Sequence, residues 1–332
     1  MIAFIVRRFL LGVFALWVIS IIAFFVVTLP PGDFVDDYIA NLVGEAGQGT
    51  PAADALEKQL RAEYGLDAPV WFQYLKWMSK VVRGDLSFSV EFNRPVREVI
   101  WDKLPLTIIV AGTTILFTWT MAIPLGIYAA VRHRTIEDYS LTFIGFIGLA
   151  IPDFLLALAF LWIGWFYFDL SIGGLFTREY ITAPWSGGKV VDMLAHLWIP
   201  VIVLGTAGTA SLLRIMRANL LDELRKPYVV TARSKGLKEW RVIIKYPVRV
   251  ALNPIISTVG YLLPALISGS IIVSVILALP LIGPLLLRAL LAEDLFMASG
   301  ILLVLGALTI IGTFVSDILL VFVDPRIRME DR

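Results

Sequence analysis

The chain has 332 residues, of which 58% are hydrophobic and 17% are charged. A soluble domain ordinarily carries about 25% charged residues, so the composition predicts an integral membrane protein. The net charge of +1 provides no basic field for binding nucleic acid. The sequence has no cysteine, which excludes disulfides and thiolate metal sites, and its two histidines, His133 and His196, are too far apart for a zinc centre.

The first apolar run begins directly after Arg7 and Arg8 and is uncharged for 24 residues, from Phe9 to Gly32. A cleaved signal peptide has a shorter apolar core and a small-residue cleavage site. A run of this length can cross the hydrocarbon core of a bilayer, which is about 30 Å thick. We therefore predict a first transmembrane helix here.

Five further apolar runs follow, each long enough for one span. They lie at 104–131, 139–168, 193–213, 250–287 and 295–316. Asp153 is the one charge in the 139–168 run, and the 250–287 run is longer than a span needs, so we place the end of its helix near Leu279. The predicted fold is all-α, with six transmembrane helices in one membrane domain over residues 1–332.

The distribution of Lys and Arg predicts the orientation. The segment 214–249 carries ten basic and three acidic residues, whereas the loops at 169–192 and 280–294 carry only Arg178, Lys189 and Arg288. Basic residues accumulate in cytoplasmic loops. With six spans, this places the 214–249 loop and both termini in the cytoplasm.

The segment 30–103 then lies outside as a cap, with twelve acidic and eight basic residues. Apolar residues recur at helical spacing over Ala52–Tyr64, which predicts a helix. Trp71, Tyr74 and Trp77 predict a second helix. Because aromatic side chains are favoured at the headgroup level, we expect this second helix to lie at the membrane interface.

Enzyme signatures are absent from the sequence: it has no phosphate-binding G-x-x-x-x-G-K-[ST] loop, no G-x-S-x-G elbow and no H-E-x-x-H pair. The chain is therefore predicted not to hydrolyse ATP itself. Asp153 is a candidate pathway residue, because charge is costly in lipid. The alternative, which we favour, is that Pro152 breaks the helix and Asp153 caps the half that follows.

A basic island, TARSKGLKEW at 231–240, lies in the predicted cytoplasmic loop. Pro227 suits the first turn of a helix over 227–235, and Gly236 suits a left-handed cap at its end. A second helix is predicted over 238–246, ending before Pro247.

This island combines small, apolar and basic side chains. Ala232, Ser234 and Gly236 would let another backbone approach closely, and Leu237 and Trp240 offer apolar anchors beside basic residues. Such a surface is typical of a short docking element. It is equally typical of a juxtamembrane helix resting on anionic headgroups, and the residues alone do not decide between the two.

The sequence resembles the permease subunits of ATP-binding-cassette importers, in the dipeptide/oligopeptide/nickel branch. The loop YVVTARSKGLKEWRVIIKYPVRVALNPII is similar to that family's loop motif, which is close to Y-x-x-T-A-R-A-K-G-L. The external EYGLDAPVWFQYLKWMSKVVRGDLSFS, the PPGD at 30–33 and the closing DPRIR at 324–328 also match in order. The resemblance covers essentially the whole chain.

The resemblance implies a type I importer permease in a bacterial cytoplasmic (inner) membrane, with the loop as a coupling helix seated on an ATPase subunit. Its partners would be a second permease subunit in a heterodimer, two ATPase subunits that bind ATP and Mg²⁺, and an external solute-binding protein, with lipid around the spans. No cofactor is expected in this chain. The implied coupling residues are Thr231, Ala232, Arg233, Ser234, Lys235, Gly236 and Leu237. Trp240 is added from helix geometry.

One segment departs from the family pattern V-E-x-x-F-x-x-P-G-L-G. The chain has VSVILALPLIG at 273–283, with Ser274, Leu277 and Leu281 at the acidic, Phe and Gly positions. The implied cargo is a di- or oligopeptide, with oligosaccharides, glycosides or nickel as alternatives for the same machinery. A stand-alone carrier would normally show two repeat halves, and an intramembrane enzyme would need a paired nucleophile or carboxylate; the sequence shows neither.

Overall fold

The computed structural model describes residues 2–29, 39, 50–64, 67–89, 91–168, 173–258, 262, 266 and 270–323. Helices dominate, which confirms the all-α prediction. The first seven are α1 Ile2–Val27, α2 Pro51–Tyr64, α3 Val70–Val81, α4 Val96–Val131, α5 Ile136–Ala150, α6 Asp153–Phe168 and α7 Gly187–Leu224. The others are α8 Pro227–Ser234, α9 Glu239–Lys245, α10 Pro247–Ala251, α11 Asn253–Ser257, α12 Ile271–Ile276, α13 Ile282–Leu291 and α14 Leu295–Val323.

Within the described residues, four helices are long and apolar enough to cross a membrane: α1, α4, α7 and α14. A fifth crossing is made if the pair α5 and α6 counts as one broken span. The run predicted as the fifth span, 250–279, lies partly outside the described residues. The multi-pass fold is therefore confirmed, and the count of six remains a prediction.

Two of the long helices extend well beyond the apolar runs that predicted them. Helix α4 begins at Val96 rather than Leu104, and α7 ends at Leu224 rather than Leu213. The extensions contain charged residues. These residues lower the mean hydropathy, so the extensions fall outside the predicted spans. A helix can nevertheless continue through them, because its backbone hydrogen bonds do not depend on side-chain polarity.

The predicted third span is not one straight helix. It is bent by 93° between α5 and α6, at Ile151 and Pro152. Proline has no amide proton and clashes with the preceding turn, which is why the break occurs at this position. The predicted break is thus confirmed.

Two compact units can be distinguished in the fold, and the first comprises Met1–Thr107 and Leu281–Ile310. Its core brings α1 and α3 together through aromatic rings. Phe24 lies 5.3 Å from Trp77 and 5.7 Å from Tyr74 between ring centroids. Trp77 is 1% and Tyr74 7% exposed, whereas Trp71 is 59% exposed. The helix over 70–81 is confirmed, but two of its three aromatic residues pack in a protein core rather than facing headgroups.

A short hairpin in the same unit joins the cap to the start of the last helix. Strands β1 (Phe88–Ser89) and β2 (Arg94–Pro95) pair antiparallel. The buried Asp294 accepts hydrogen bonds from the Ser89 hydroxyl at 2.5 Å and from the Met297 amide at 3.0 Å. One carboxylate therefore caps α14 and holds the hairpin against it.

The second unit comprises Ile108–Pro280 and Ile311–Arg332. Helix α5 packs on α7 through glycine: a Cβ on Gly148 would lie 3.1 Å from the Thr206 methyl group. The last part of α4 packs equally closely, since a Cβ on Gly126 would lie 2.7 Å from the Met216 Cβ. Small residues at these positions bring α4 and α5 close to α7, which carries the candidate site at its end.

Candidate coupling site

Helices α8 and α9 form a helical hairpin directly after α7. Pro227 occupies the first turn of α8, where a missing amide proton costs no hydrogen bond. The Thr231 hydroxyl donates to the Pro227 carbonyl at 3.0 Å, and the Ser234 hydroxyl donates to the Val230 carbonyl at 3.1 Å. Both hydroxyl protons are therefore used within the helix.

Gly236 makes the turn between the two helices. Its φ of 74° lies in the left-handed region, and its amide donates to the Arg233 carbonyl at 2.9 Å. The predicted left-handed glycine is confirmed, and the two helices lie within a residue of their predicted bounds at each end. Apart from its chain neighbours, no atom of the described residues lies within 4 Å of where a Cβ would be, so the backbone conformation, and not crowding, requires glycine here.

The hairpin has a small apolar core of its own. Val229, Ala232 and Val242 are buried together, with Tyr246 packed against them. Ala232 was expected to let a partner backbone approach closely. In the structure its side chain is buried between the two helices, and its contact with a partner stays a prediction.

The rest of the island is a solvent-facing tip. Of the ten residues at 231–240, all but Ala232 are exposed. Leu237 is 38% and Trp240 58% exposed. Lys235 and Lys238 lie beside them and form no ion pair within the described part of the chain. The tip therefore presents two apolar side chains among unneutralised positive charges.

Arg233 and Glu239 join the two helices across the turn. The Arg233 Nη2 lies 2.6 Å from the Glu239 Oε1, and Nε lies 3.1 Å from the same oxygen. This hydrogen bonding holds the pKa of Glu239 below its usual range and raises the pKa of Arg233. Because both side chains are exposed, the pair contributes little to stability and mainly orients the two groups.

The other face of the hairpin is anchored on α7. Ile243 of α9 and Val248 of α10 are buried in a cluster with Met216 and Leu220 of α7 and Ala130 of α4. A displacement of the hairpin would therefore act on these helices through close-packed side chains, which transmit strain because interiors are dense.

An ion pair between a buried carboxylate and a partly exposed arginine, which the sequence did not reveal, lies in the second unit. The carboxylate of Asp138, at the start of α5, is contacted by the Arg217 guanidinium at 2.5 and 2.8 Å. The Arg134 amide donates to it at 3.0 Å, and the His133 Nδ1 lies 3.4 Å away. This cluster ties the turn between α4 and α5 to α7. Asp138 and Arg217 are far apart in sequence, and only the α5–α7 packing brings them together.

Asp153 begins α6 at the bend. The Pro152 carbonyl accepts the first helical hydrogen bonds, from the amides of Leu155 and Leu156 at 2.9 and 3.2 Å. Asp153 is half-buried, and its side chain has no hydrogen bond or ion pair within the described residues. It is thus the first residue of α6 and not its side-chain cap, although its charge is favourable at a helix N-terminus.

The divergent segment forms α12 and the turn after it. Ser274 and Leu277 are fully buried, and the Ser274 hydroxyl has no partner in the described part of the chain. Ala278 has a φ of 50°, and the Leu277 carbonyl accepts the Gly174 amide at 2.7 Å. A buried apolar turn thus occupies the place where the family pattern has an acidic residue and a Phe.

Comparisons with known proteins agree with this architecture. Residues 122–329 match the family "Binding-protein-dependent transport system inner membrane component", and residues 1–111 match its N-terminal companion, "Binding-prot-dependent transport system membrane comp, N-term". The two matches cover nearly the whole chain.

Individual relatives are similar along their full length. The oligopeptide transport system permease protein AppB of Bacillus subtilis is 34% identical over 333 residues, covering 98% of this chain and 99% of the relative. The dipeptide transport system permease protein DppB of Escherichia coli is 31% identical over 344 residues, covering 99% of each chain. The inner membrane ABC transporter permease protein YejB of Escherichia coli O157:H7 is 33% identical over 366 residues, covering 99% of this chain and all of the relative. The chain therefore belongs to the family of inner-membrane components of binding-protein-dependent transport systems.

Proposed function

We propose that this chain is a transmembrane permease subunit of an ATP-binding-cassette importer, and that it forms half of the pathway for di- and oligopeptides delivered by a solute-binding protein. The peptide cargo is supported by the names of the full-length relatives, which are oligopeptide and dipeptide permeases. A second permease subunit would complete the pathway, and two partner ATPase subunits would hydrolyse ATP.

The exposed tip at 231–240 is the observation that supports a coupling role. Leu237 and Trp240 are apolar and solvent-facing, and Lys235 and Lys238 surround them without ion pairs among the described residues. An apolar centre with a charged rim is the composition of a protein-docking surface. This tip docks on an ATPase subunit. The shape of the tip is set by the other residues of the turn, Thr231, Arg233, Ser234 and Gly236.

The path from the tip into the membrane runs through the cluster of Ile243 and Val248 with Met216 and Leu220. When the ATPase subunits close on ATP, the hairpin moves with them, and the packed helices α4 and α7 follow as rigid bodies. The external segment 30–103 would receive the solute-binding protein on the opposite side of the membrane.

Asp153 remains the candidate pathway residue in this proposal. A half-buried carboxylate at a bend of 93° has no partner in the described part of the chain. Charge inside a membrane segment is retained where it meets a pathway or another charge. A peptide's amino group is a suitable counter-charge.

The docking role is tested by Lys235→Glu and Leu237→Asp in the assembled importer. Lys235 has no ion pair within the described residues, so its reversal acts on a partner and not on the hairpin itself. We expect each change to reduce co-purification of the ATPase subunits and ATP-driven uptake of labelled dipeptide into proteoliposomes by at least about tenfold, as for a residue central to an interface.

The matched control is Lys58→Glu, the same reversal on the exposed face of α2 in the predicted external segment. It should leave ATPase association unchanged. For Arg233 the informative variant is the swap Arg233→Glu with Glu239→Arg, which keeps the internal pair. If association and uptake survive Lys235→Glu, Leu237→Asp and the swap, the tip is not the docking element.

A further inference from the structure

A row of three basic side chains runs along α9 and α10. Arg241, Lys245 and Arg249 follow one another at intervals of four residues, and all three are exposed. Residues four apart share one face of a helix. The opposite face is buried, through Ile243 of α9 and Val248 of α10. Together Arg241, Lys245 and Arg249 form a basic stripe.

The positive charge of the basic stripe is not neutralised by the part of the chain that the structure describes. None of the three side chains forms an ion pair there. The acidic residue nearest in sequence, Glu239, is paired with Arg233 instead. Arg241 and Lys245 each lie over the aromatic ring of an adjacent residue, 5.2 and 5.7 Å from the ring centroid, which leaves their charge in place. Exposed charge is ordinarily solvated by water, so the position of the stripe decides what else it meets.

The stripe begins where the sequence enters the membrane. Arg249 directly precedes the uncharged run at 250–287. Arg214 marks the corresponding boundary on α7, because it directly follows the apolar run at 193–213. Its guanidinium lies 5.8 Å from the centroid of the Phe146 ring. Basic side chains that end an apolar run lie at the level of the lipid headgroups.

The packing of α10 on α7 brings these two boundaries to the same depth. Val248 and Ala251 are buried in one cluster with Leu213 and Met216 of α7. The first pair lies on either side of Arg249 in sequence, and the second pair lies on either side of Arg214. Two boundaries that follow separately from the sequence therefore coincide in the structure, and Arg249 lies at the edge of the hydrocarbon.

The rest of the stripe then extends through the headgroup layer. At 1.5 Å per residue, Lys245 lies about 6 Å and Arg241 about 12 Å from Arg249 along the helices. The headgroup layer is about 5–8 Å thick on each side, and the potential of an anionic surface extends roughly 8 Å further. Two apolar side chains beside the stripe, Ile244 and Val250, are 58% and 38% exposed. Basic and apolar side chains on one face are typical of a helix at an anionic lipid surface.

We propose that the basic stripe binds the phosphate groups of anionic phospholipids on its side of the membrane, which the charge distribution predicts to be the cytoplasmic side. A guanidinium group donates two hydrogen bonds to one phosphate, and an ammonium group adds a point charge. A zwitterionic lipid carries the same phosphate, but its own cation offsets the charge. The stripe therefore prefers lipids with net negative charge. This inference depends on the depth and charge of the stripe and not on the proposed function.

The test uses the full chain without ATPase subunits, reconstituted in phosphatidylcholine nanodiscs. The chain contains no cysteine, so a bimane fluorophore on Ile244→Cys reports on the exposed side of the stripe alone. The quenchers are phosphatidylglycerol and phosphatidylcholine that carry a doxyl group at the same acyl position. At equal mole fraction, we expect the anionic quencher to occupy the site at least about fivefold more than the zwitterionic one, which is the contribution of one basic residue near an anionic surface. High salt should lower this ratio.

Charge variants separate a local site from the overall charge of the loop. The triple variant Arg241→Gln, Lys245→Gln and Arg249→Gln should bring the ratio to within about twofold of one, because these residues supply the charge at the headgroups. Lys245→Arg keeps the charge and should keep the preference. Arg225→Gln removes one charge from the same loop at the exposed end of α7 and should leave the ratio unchanged. The thermal midpoints of all variants show whether the chain remains folded.

Three outcomes would overturn the proposal. The first is equal quenching by the two lipids, and the second is an equal loss of preference in Arg225→Gln and in Lys245→Gln. The third is a triple variant that keeps its lipid preference but no longer co-purifies with the ATPase subunits, which would assign the stripe to a protein partner. Dipeptide uptake by the assembled importer is measured separately, so the proposed function can fail or hold independently.

Discussion

The carboxylate of Asp138 shows how one residue can organise a turn and two helices. It is buried, and it receives the Arg217 guanidinium through two hydrogen bonds and the Arg134 amide through a third. A buried charge is costly unless its lone pairs are satisfied, and here three are used. Removing one member therefore leaves the other charge uncompensated.

We predict that Arg217→Met lowers the stability of the chain by about 3 kcal/mol, because it strands the Asp138 carboxylate in a buried site. Arg217→Lys should restore part of this loss, since lysine keeps the charge but not the two-point geometry. The measurement is the midpoint of thermal unfolding in detergent.

The control for this prediction is Arg225→Met, at the exposed end of α7, where we expect a change within about 0.5 kcal/mol. Equal effects of Arg217→Met and Arg225→Met would contradict the structural role of the buried pair.

At the scale of elements, α5 rests on α7 through Gly145 and Gly148. Gly148 faces Thr206, and a Cβ there would be 3.1 Å from the nearest methyl group. In membranes, where lipid offers no hydrophobic drive for helix association, such close approach supplies much of the attraction between helices.

We expect Gly148→Leu to destabilise the chain by about 1–3 kcal/mol, because a large side chain must separate the two helices. Gly112→Leu on α4 is the matched change, since among the described residues nothing outside its own helix turn lies within 4 Å of a Cβ there. Thermal midpoints of the isolated chain in detergent should fall for the first variant and not for the second. Equal behaviour of the two variants would contradict the packing of α5 on α7 through Gly148.

Some elements could be predicted because their signals are local. Pro227 and Gly236 act on the backbone within a turn, and the hairpin of α8 and α9 follows the prediction to within a residue. The start of α4 and the end of α7 could not be predicted, because helical turns that carry charged residues beyond the bilayer have no hydropathy signal. The aromatic residues of α3 predicted the helix but not the packing of Trp77 against Phe24, because these two residues are distant in sequence.

For the whole molecule, the charge distribution predicts the orientation in the membrane. Ten basic residues in 214–249 against three in the two loops on the other side favour a cytoplasmic position for the hairpin of α8 and α9. Six spans and this orientation are separate predictions, and a labelling experiment can test the orientation.

Since the chain contains no cysteine, single cysteines can be introduced without background. We predict that a membrane-impermeant maleimide labels Lys58→Cys and Leu291→Cys in intact spheroplasts, and labels Lys238→Cys only after permeabilisation. All three positions are exposed in the structure, so accessibility depends on the side of the membrane. Labelling of Lys238→Cys from outside, or of Leu291→Cys only from inside, would contradict the topology.

The sequence by itself determined the properties that depend on short stretches of chain or on the overall amino-acid composition. These are the multi-pass helical class, the break at Pro152, the turn at Gly236 and, through ordered motifs, the family. Only the tertiary structure decided which side chains meet: Asp138 with Arg217, Trp77 with Phe24, and Ala232 with Val242. The physical reason is that backbone preferences and lipid solubility act locally, whereas burial and pairing depend on residues that packing brings together from distant parts of the chain.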